Sequence, residues 1–402
     1  MSRRGMLDAV VVGGGVVGAA CALALAREQL RVALVEATAP VPWRPAARDL
    51  RVYAFAPDNV ALLEAMDVWE GVRAARVQPY RRMRVWDAGG GGELRFDADA
   101  LGRDQLGWIV EHGLLADRLW RAAETAGVDL RCPAKVADCM QDASGVRLLL
   151  DDGTRLEARL AVAADGAASS MRQLLGIASD DRDYGQRGVV GFVRSAHGHE
   201  ATAWQRFLPG GPLALLPFAD DPAAPEASRG RDCSIVWSLP QDEADRVLAL
   251  DDGAFAAALD IASDRRLGHL QPVSARAAFP LRRQLARAAA HGRVLLVGDA
   301  AHVVHPLAGQ GVNLGLRDVA ALRDLARRAR ARRLEIASPQ RLARWARERR
   351  SENAVAALGF EAIHRLYTDR GVAATLLRGH LLGLAGRMPP VAHALWRRAA
   401  GD

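Results

Sequence analysis

Three glycines near the amino terminus, Gly13, Gly15 and Gly18, have the spacing G-x-G-x-x-G between an apolar segment and an apolar helical pattern. Glycine at the first position allows a tight turn, at the second the close approach of a pyrophosphate, and at the third close packing of helix on strand. The helix that follows would direct free N–H groups and the positive end of its dipole at the phosphates. We therefore predict a dinucleotide site that includes Val16 and Val17, the residues between the last two glycines.

An acidic residue, Glu36, ends the next apolar segment, "RVALVEA". It follows the glycines by about 20 residues, where a carboxylate can accept hydrogen bonds from ribose hydroxyls. A carboxylate at this position disfavours a 2′-phosphate, so the expected ligand is FAD or NAD. No second glycine fingerprint follows a strand pattern elsewhere, which predicts a single dinucleotide.

Two further strand patterns end in a glycine–aspartate turn. Asp165 and Gly166 stand in "AVAADGAASS", and Gly298 and Asp299 stand in "VLLVGDAAH". Such a pair alone indicates only a turn. Ligands of doubly wound folds bind at the carboxyl ends of the parallel strands, however, and these turns would converge there with the glycine fingerprint.

Composition sets the limits of the fold and of the partners. The 402 residues are half hydrophobic and one quarter charged, which is typical of a globular protein with two or three domains. The net charge of +7 comes from arginine, because Lys135 is the only lysine. Nucleic-acid binding is not predicted, since no basic cluster is interleaved with aromatic residues. An acidic membrane surface or an acidic partner remains open.

The cysteines and the apolar segments indicate a reducing compartment and no membrane span. The four cysteines show no C-x-x-C spacing, which favours free thiols over disulfides or a zinc site. Glycines break the amino-terminal apolar run, so it predicts a first strand and not a signal peptide. The charge-free stretch "GHLLGLAG" near the carboxyl terminus is far shorter than the about 20 apolar residues of a spanning helix. We expect a cytoplasmic protein.

A longer segment, "HPLAGQGVNLGLRD" at residues 305–318, places a proline and several glycines at the start of a helical pattern. Together with the fingerprint, "ADG…S…R" and "LVGDAAH", it resembles the single-component FAD aromatic hydroxylases of the para-hydroxybenzoate hydroxylase type. Within that group the chain is similar to the ubiquinone-biosynthesis ring hydroxylases (UbiH/UbiF/VisC family). The segments "LGWIVEHGLL", "WQRFLPGGPLALLPF" and "AFPL" also match that family, so the resemblance spans nearly the whole chain.

The resemblance implies an α/β fold. A Rossmann-like FAD-binding domain would carry an inserted α+β substrate domain with an antiparallel sheet, and a helical carboxyl-terminal tail would follow. The expected division assigns 1–75, 105–180 and 270–345 to the FAD domain, 76–104 and 181–269 to the substrate domain, and 346–402 to the tail. Apolar residues at helical spacing in the tail would pack on the FAD domain, or contact a membrane or a biosynthetic partner: Leu376, Leu377, His380, Leu381 and Leu384.

The resemblance also assigns roles around the cofactor. Glu36 would hold the adenosine ribose, Arg51 would lie along the cofactor, and Asp299 would bind the ribityl chain. The residues expected to line the isoalloxazine ring or to lie under its pyrimidine edge are Pro306, Gly309, Gly311, Val312 and Asn313. The family has asparagine after the glutamate of "IVEN", whereas this chain has His112, which can still donate to the cofactor.

The implied activity is aromatic hydroxylation through an FAD C4a-hydroperoxide, with O₂ and with NAD(P)H or a protein electron donor as reductant. His305, Pro306 and Gly309 are the candidate catalytic positions beside the flavin. A helix that starts near Gly311 would stabilise negative charge on the reduced ring. His302 and His305 lie three residues apart, but without a third ligand no metal site is predicted.

Three functions stay open at this point. The first is hydroxylation of a prenylated phenol or quinol precursor of ubiquinone. The second is hydroxylation of a soluble aromatic metabolite, and the third is a non-catalytic flavoprotein scaffold in a membrane-associated assembly. The sheet residues that could face substrate are of types that usually form core: Trp204, Phe207, Leu216 and Phe218.

Overall fold

The computed structural model of the protein describes residues 6–89, 92–220, 225–304 and 311–368, the last thirteen as backbone alone. The strands in these ranges are β1 Leu7–Val12, β2 Val32–Val35, β3 Val52–Phe55, β4 Gln78–Tyr80, β5 Arg82–Asp87, β6 Glu93–Asp97, β7 Gly107–Glu111, β8 Asp129–Arg131, β9 Val136–Gln141, β10 Val146–Leu150, β11 Arg155–Ala163, β12 Ser179–Ser195, β13 Thr202–Leu208, β14 Gly211–Pro217, β15 Asp232–Pro240, β16 Leu270–Pro272, β17 Ala277–Ala286, β18 Ala290–His291, β19 Val294–Leu296 and β20 His302–Val303. The α-helices are α1 Val16–Arg27, α2 Pro57–Glu64, α3 Trp69–Arg73, α4 His112–Thr125, α5 Ser170–Leu174, α6 Gln241–Leu248, α7 Asp252–Ala262, α8 Gly311–Ala331 and α9 Pro339–Thr368.

The first sheet contains the amino-terminal strand at its centre. Its order is β18-β19-β11-β1-β2-β8, and β10 and β9 extend it from β11. The pairs β1–β2, β1–β11, β11–β19 and β2–β8 are parallel. Residues 9–12 of β1 are buried, because one apolar cluster covers each face of the sheet. A continuous apolar run is what such a strand requires, and "AVVV" supplies it.

The second sheet is larger and mainly antiparallel. Its order is β20-β17-β12-β15-β14-β13-β5-β6, with β16 on β12, and β5 and β13 run parallel. Helices α6 and α7 pack on one face of this sheet. The other face packs against the small sheet β3-β7-β4. The fold class predicted from the sequence, a Rossmann-like domain combined with an antiparallel sheet, is confirmed.

Helix α8 packs against α1 and α2, and α9 packs against α8. One face of α9 is buried and consists of the residues Leu342, Trp345, Ala346, Arg349 and Asn353. Within the described ranges, no helix combines the length and apolarity needed to cross a bilayer.

Candidate cofactor site

The three fingerprint glycines meet different steric demands. Gly13 has φ +101°, and a Cβ there would lie 2.4 Å from the carbonyl oxygen of Ala164. A Cβ on Gly18 would lie 1.8 Å from the carbonyl oxygen of Gly13. A Cβ on Gly15 would contact nothing within 4 Å. The first and third glycines are therefore required by the protein itself, whereas the second leaves an open approach to the start of α1.

The start of α1 suits an anionic group. Gly15 is its N-cap residue, and no side chain caps the helix. The first N–H groups of the helix therefore remain available together with the positive end of its dipole. This fits the predicted pyrophosphate position.

Glu36 lies beside the glycine turn, as the sequence predicted. Its carboxylate accepts hydrogen bonds from the N–H groups of Gly14 at 2.5 Å and Thr38 at 2.9 Å. Trp120 donates its indole N–H to the carbonyl oxygen of Gly14 at 2.6 Å, which supports the same turn. A carboxylate has about four lone-pair sites, so these two bonds leave acceptor capacity for ribose hydroxyls.

The Asp165–Gly166 turn is organised by the start of α5. The Asp165 carboxylate accepts hydrogen bonds from the hydroxyls of Ser169 at 2.5 Å and Ser170 at 3.1 Å, and from the N–H of Met171 at 2.9 Å. Gly166 has φ +79°, a conformation that favours glycine. The Asp165 carboxylate therefore stabilises the turn through these hydrogen bonds. This structural role is additional to the cofactor contact that the sequence predicts.

A buried arginine joins this turn to the Gly298–Asp299 turn. Arg172 donates to the carbonyl oxygens of Ala167 at 2.8 Å and Ala300 at 2.9 Å. The arginine of "ADG…S…R" contributes to the site in this way, although the sequence did not show which groups it would bind.

Asp299 lies in a short 3-10 helix after β19. Its side chain is accessible to solvent, although protein surrounds it. Desolvation by the surrounding protein raises the pKa of Asp299, and this outweighs the opposing charges of His302 and Arg51. Tyr53 is close enough to Asp299 and Arg51 for both charges to act on its hydroxyl. The residues predicted along the cofactor, Arg51 and Asp299, therefore belong to one electrostatic cluster.

His112, the departure from the family pattern, is bound by Tyr53 in this cluster. The Tyr53 hydroxyl lies 2.7 Å from His112 Nδ1. Burial raises the pKa of Tyr53, so the hydroxyl keeps its proton. Burial, together with the charge of Arg51, lowers the pKa of His112, which favours a neutral imidazole. Because Tyr53 occupies Nδ1, Nε2 is the ring nitrogen of His112 that remains for a further contact.

Helix α8 begins at Gly311, where a Cβ would contact no atom of the described residues within 4 Å. Val312 is buried and Asn313 is fully buried. The Asn313 amide donates to the carbonyl oxygen of Ala54 at 2.8 Å and accepts from the Ala56 N–H at 3.2 Å and the Asn59 amide at 2.8 Å. The Asn313 side chain thus fastens the start of α8 to β3 and α2. Its predicted contact with the flavin would have to use the backbone.

Gly315 was not singled out from the sequence, yet it sets the distance between α8 and the rest of the site. A Cβ there would lie 2.6 Å from Val17 Cγ2 and 3.1 Å from the Cα of Gly298. The side chain of Val17, in the first turn of α1, therefore lies against α8 at Gly315 and against Gly298. The glycine four residues after Gly311 was the available signal, since it continues the same helix face.

A buried polar network lies behind the Gly298 turn, and the sequence did not reveal it. Asp318 Oδ2 accepts from the Gly298 N–H at 3.0 Å and lies 2.6 Å from His302 Nε2. Asp318 Oδ1 accepts from Arg349 Nε at 2.8 Å and from the Asn353 amide at 3.2 Å. Burial raises the pKa of Asp318, but His302 and Arg349 outweigh it and hold the pKa at about 2. An ionised Asp318 therefore links the turn, α8 and α9.

The candidate catalytic residues His305, Pro306 and Gly309 lie outside the described residues, as does the apolar stripe of the tail. In the described ranges, no group of three His, Cys, Asp or Glu side chains is arranged to hold a metal ion. His302 is instead paired with Asp318.

The candidate substrate-facing residues divide between the two faces of the second sheet. Leu216 and Phe218 pack on the face toward β3, beside Phe192. Trp204 packs on the opposite face with α6 and α7. Alternation along β13 explains the difference, because its neighbour Ala203 points toward β3.

Comparisons with known proteins identify the family. The family model described as an FAD binding domain matches residues 6–356. The ubiquinone hydroxylase UbiL of Rhodospirillum rubrum is 34% identical over 395 residues, 98% of this chain and 89% of that protein. The 3-demethoxyubiquinol 3-hydroxylase of Escherichia coli is 36% identical over 364 residues, 90% of each chain. Human ubiquinone biosynthesis monooxygenase COQ6 is 31% identical, over 92% of this chain and 87% of that protein.

Solved structures share the fold at lower identity. The p-nitrophenol 4-monooxygenase PnpA of Pseudomonas putida has a TM-score of 0.76 and 20% identity, with 98% of each chain covered. HpxO of Klebsiella pneumoniae, solved with FAD and uric acid, has a TM-score of 0.75 and 20% identity, over 98% of this chain and 97% of that chain. The chain therefore belongs to the FAD-binding-domain family of flavin-dependent aromatic-ring monooxygenases, in the group that contains the ubiquinone hydroxylases, and its cofactor is FAD.

Proposed function

We propose that the protein hydroxylates a polyprenyl phenol or quinol intermediate of ubiquinone biosynthesis. The observation that carries the proposal is similarity over nearly the full chain to proteins named as ubiquinone hydroxylases. NAD(P)H or a protein electron donor would supply the electrons. The enzyme would work in the cytoplasm or at the inner face of the membrane, with its tail contacting the membrane or a biosynthetic complex.

The residues of the site would divide the binding of FAD among them. The start of α1 at Gly15 would bind the pyrophosphate, and the Glu36 carboxylate would accept hydrogen bonds from the ribose hydroxyls. The Asp299 carboxylate would accept hydrogen bonds from the ribityl hydroxyls, and Arg51 would compensate the charge of that carboxylate. His112 would donate from Nε2. When bound, FAD supplies the activation of O₂ and the oxygen atom that is transferred to the ring.

The catalytic end of the site would lie between α8 and the segment that contains His305, Pro306 and Gly309. A helix start at Gly311 directs N–H groups and positive partial charge toward the expected position of the pyrimidine edge. Such preorganised donors stabilise negative charge that develops during the reaction.

The face of the second sheet toward β3 supports an apolar substrate. Its partly buried members include Met83, Ala214 and Val236. Two cations lie near this face, but each is already paired with the same carboxylate: Arg48 at 2.6 Å and Arg194 at 2.8 Å from Asp232. One carboxylate compensates only one of these two charges, so the support for a prenylated ring over the second candidate, a soluble metabolite, comes from the apolar residues of this face.

The test is turnover by the purified, FAD-loaded protein with a short-chain prenylphenol, compared with a phenol that carries a carboxylate in place of the prenyl group. We expect oxygen consumption with NADH, NADPH or an added reductase, and a prenylated product with one added oxygen atom by mass spectrometry. Turnover of the carboxylated phenol alone would replace this proposal with the second candidate.

A further inference from the structure

The positive charge of the chain is concentrated in one short segment. Residues 321–355 contain eleven arginines and four acidic residues, an excess of seven positive charges. The net charge of the whole chain is also +7, so the remaining residues are balanced. A general preference for arginine over lysine would not produce this distribution. The segment covers the end of α8, the α8–α9 loop and the first half of α9.

Six arginines of the segment are exposed and have no ion pair with any described residue. They are Arg328, Arg330, Arg332, Arg333, Arg347 and Arg350, which we call the arginine surface. Other arginines of the segment do have partners, such as Arg327 with Glu28 at 3.3 Å and Arg349 with Asp318 at 2.8 Å. Arginines in the last turn of α8 suit the helix dipole. That accounts for only Arg328 and Arg330 of the six.

The two helices contribute to one continuous surface. Glu348 on α9 has a lowered pKa, caused by its hydrogen bond with Arg344 and also by the charges of Arg328 on α8 and Arg347 on α9. Arg328 and Arg347 therefore act on the same carboxylate, and the helices that carry them, α8 and α9, pack against each other. That carboxylate is already paired with Arg344 at 2.8 Å, so positive charge remains in excess on this surface, and an anionic surface would compensate it.

The loop of this surface combines charge with an exposed apolar side chain. Leu334 is 44% exposed and directly follows Arg332 and Arg333, and Arg333 has φ +53° in the turn. Arginine can lay its apolar stem along a lipid surface while the guanidinium remains at the headgroups. The segment's one tryptophan, Trp345, is buried, so it offers no stacking platform of the kind that single-stranded nucleic acids use.

We propose that the arginine surface, with Leu334 at its tip, docks the folded protein on a bilayer that contains anionic phospholipids. The contact is made by the described helices α8 and α9 and does not require the tail. Each basic residue near such a surface adds to the attraction, and the contribution falls off within a Debye length.

The experiment is flotation of the FAD-loaded, full-length protein with two kinds of vesicle. One contains equal parts of phosphatidylcholine and phosphatidylglycerol, and the other contains phosphatidylcholine alone. The test variant is Arg328→Gln, Arg330→Gln, Arg332→Gln and Arg333→Gln. The charge-matched control replaces four exposed arginines elsewhere by glutamine: Arg95, Arg155, Arg229 and Arg246. Melting temperature and FAD content should change little in the test variant, because its four side chains are exposed and form no ion pair with a described residue. The loss of Arg328 and Arg330 from the last turn of α8 removes only a small favourable interaction with the helix dipole.

The parent and the control should bind anionic vesicles and release them as salt is raised. The test variant should bind more than about tenfold more weakly, and Leu334→Ser should weaken binding at constant charge. Equal binding to neutral vesicles, or full binding by the test variant, would overturn the proposal. Binding of the parent to poly-L-glutamate without binding to vesicles would also overturn it, in favour of an acidic protein partner. The assay contains no aromatic substrate, so its outcome is independent of the proposed reaction.

Discussion

His302 Nε2 lies 2.6 Å from Asp318 Oδ2, and both side chains are almost completely buried. The same carboxylate accepts the N–H of Gly298, so it fixes the turn that carries Asp299. Its charge is compensated from α9, by Arg349. The predicted ribityl site therefore depends on a buried ion pair formed across two helices that follow it in the chain.

Arg349→Met should destabilise the protein and release FAD. Removing one partner of a buried ion pair leaves the other charge uncompensated, which costs about 3–5 kcal/mol. The measurement is urea unfolding together with FAD occupancy after gel filtration. Arg350→Met, one residue further along α9 and exposed, is the matched control and should behave as the parent. Equal stability of the two variants would show that Asp318 does not need this arginine.

Acid should remove the stabilisation that Asp318 contributes. Its pKa is lowered to about 2 from an ordinary value of 3.8, so the contribution is complete above the ordinary value and is lost as the pH falls toward 2. The stability difference between the parent and Asp318→Asn should therefore shrink by about 2 kcal/mol between about pH 5 and pH 2. Unfolding free energies across this range provide the measurement, and a constant difference would contradict the assignment.

Gly15→Ala and Gly18→Ala should separate cofactor binding from folding. The Cβ at position 15 contacts no protein atom within 4 Å, so this variant should melt like the parent when both lack FAD, but should bind FAD more weakly. The Cβ at position 18 would lie 1.8 Å from a carbonyl oxygen, so that variant should lose stability even without FAD. Thermal melts of the apoproteins and FAD titrations test both. The reverse order of effects would place the cofactor elsewhere.

Asn313→Ala should destabilise the protein, because it removes a hydrogen-bond partner from three groups in residues 54–59. The groups are the carbonyl oxygen of Ala54, the N–H of Ala56 and the amide of Asn59. Each buried group left without a partner costs about 1–3 kcal/mol. A double-mutant cycle with Asn59→Ala should give a coupling energy of about 0.5–3 kcal/mol. Strictly additive effects would mean that the two side chains act independently.

Gly311→Val should keep the fold but change the reaction. No described atom lies within 4 Å of the added Cβ, so the melting temperature of the apoprotein should change little. The side chain would instead occupy the space that we assign to the pyrimidine edge of the ring. We expect a lower flavin reduction potential, with more hydrogen peroxide and less hydroxylated product per reductant consumed. Loss of one such donor commonly costs about 10²–10³ in rate. Unchanged potential and coupling would limit this residue to a structural role.

Local patterns were sufficient to predict the fold class, the family and FAD. A strand, a glycine turn and a buried helix are close in sequence, and Gly13 and Gly18 meet the steric demands that their spacing implies. The roles of the individual site residues and the domain boundaries remain predictions. Strand β17, for example, lies in the range assigned to the FAD domain but pairs with β12 in the second sheet.

The Asp318 network could not be predicted because it depends on packing between distant segments. Asp318 and Arg349 are 31 residues apart in the sequence. The region is rich in arginine, so the sequence does not distinguish Arg349 from its exposed neighbours. One signal was present. Arg349 lies four residues after Trp345 and seven after Leu342, on the buried stripe of α9. A charged residue on such a stripe needs a buried partner, and Asp318 is that partner.

The position of Arg349 and Asn353 also has a consequence for biosynthesis. Both lie late in a 402-residue chain, whereas the glycine fingerprint ends at residue 18. During synthesis, the segments that surround the fingerprint, including β11 and α8, leave the ribosome before α9 does. Until α9 is present, Asp318 lacks the compensating charge of Arg349, and the carboxylate that binds the Gly298 N–H is not stabilised. We therefore expect stable loading of FAD to be a late event, and a chain interrupted before residue 349 to retain FAD poorly.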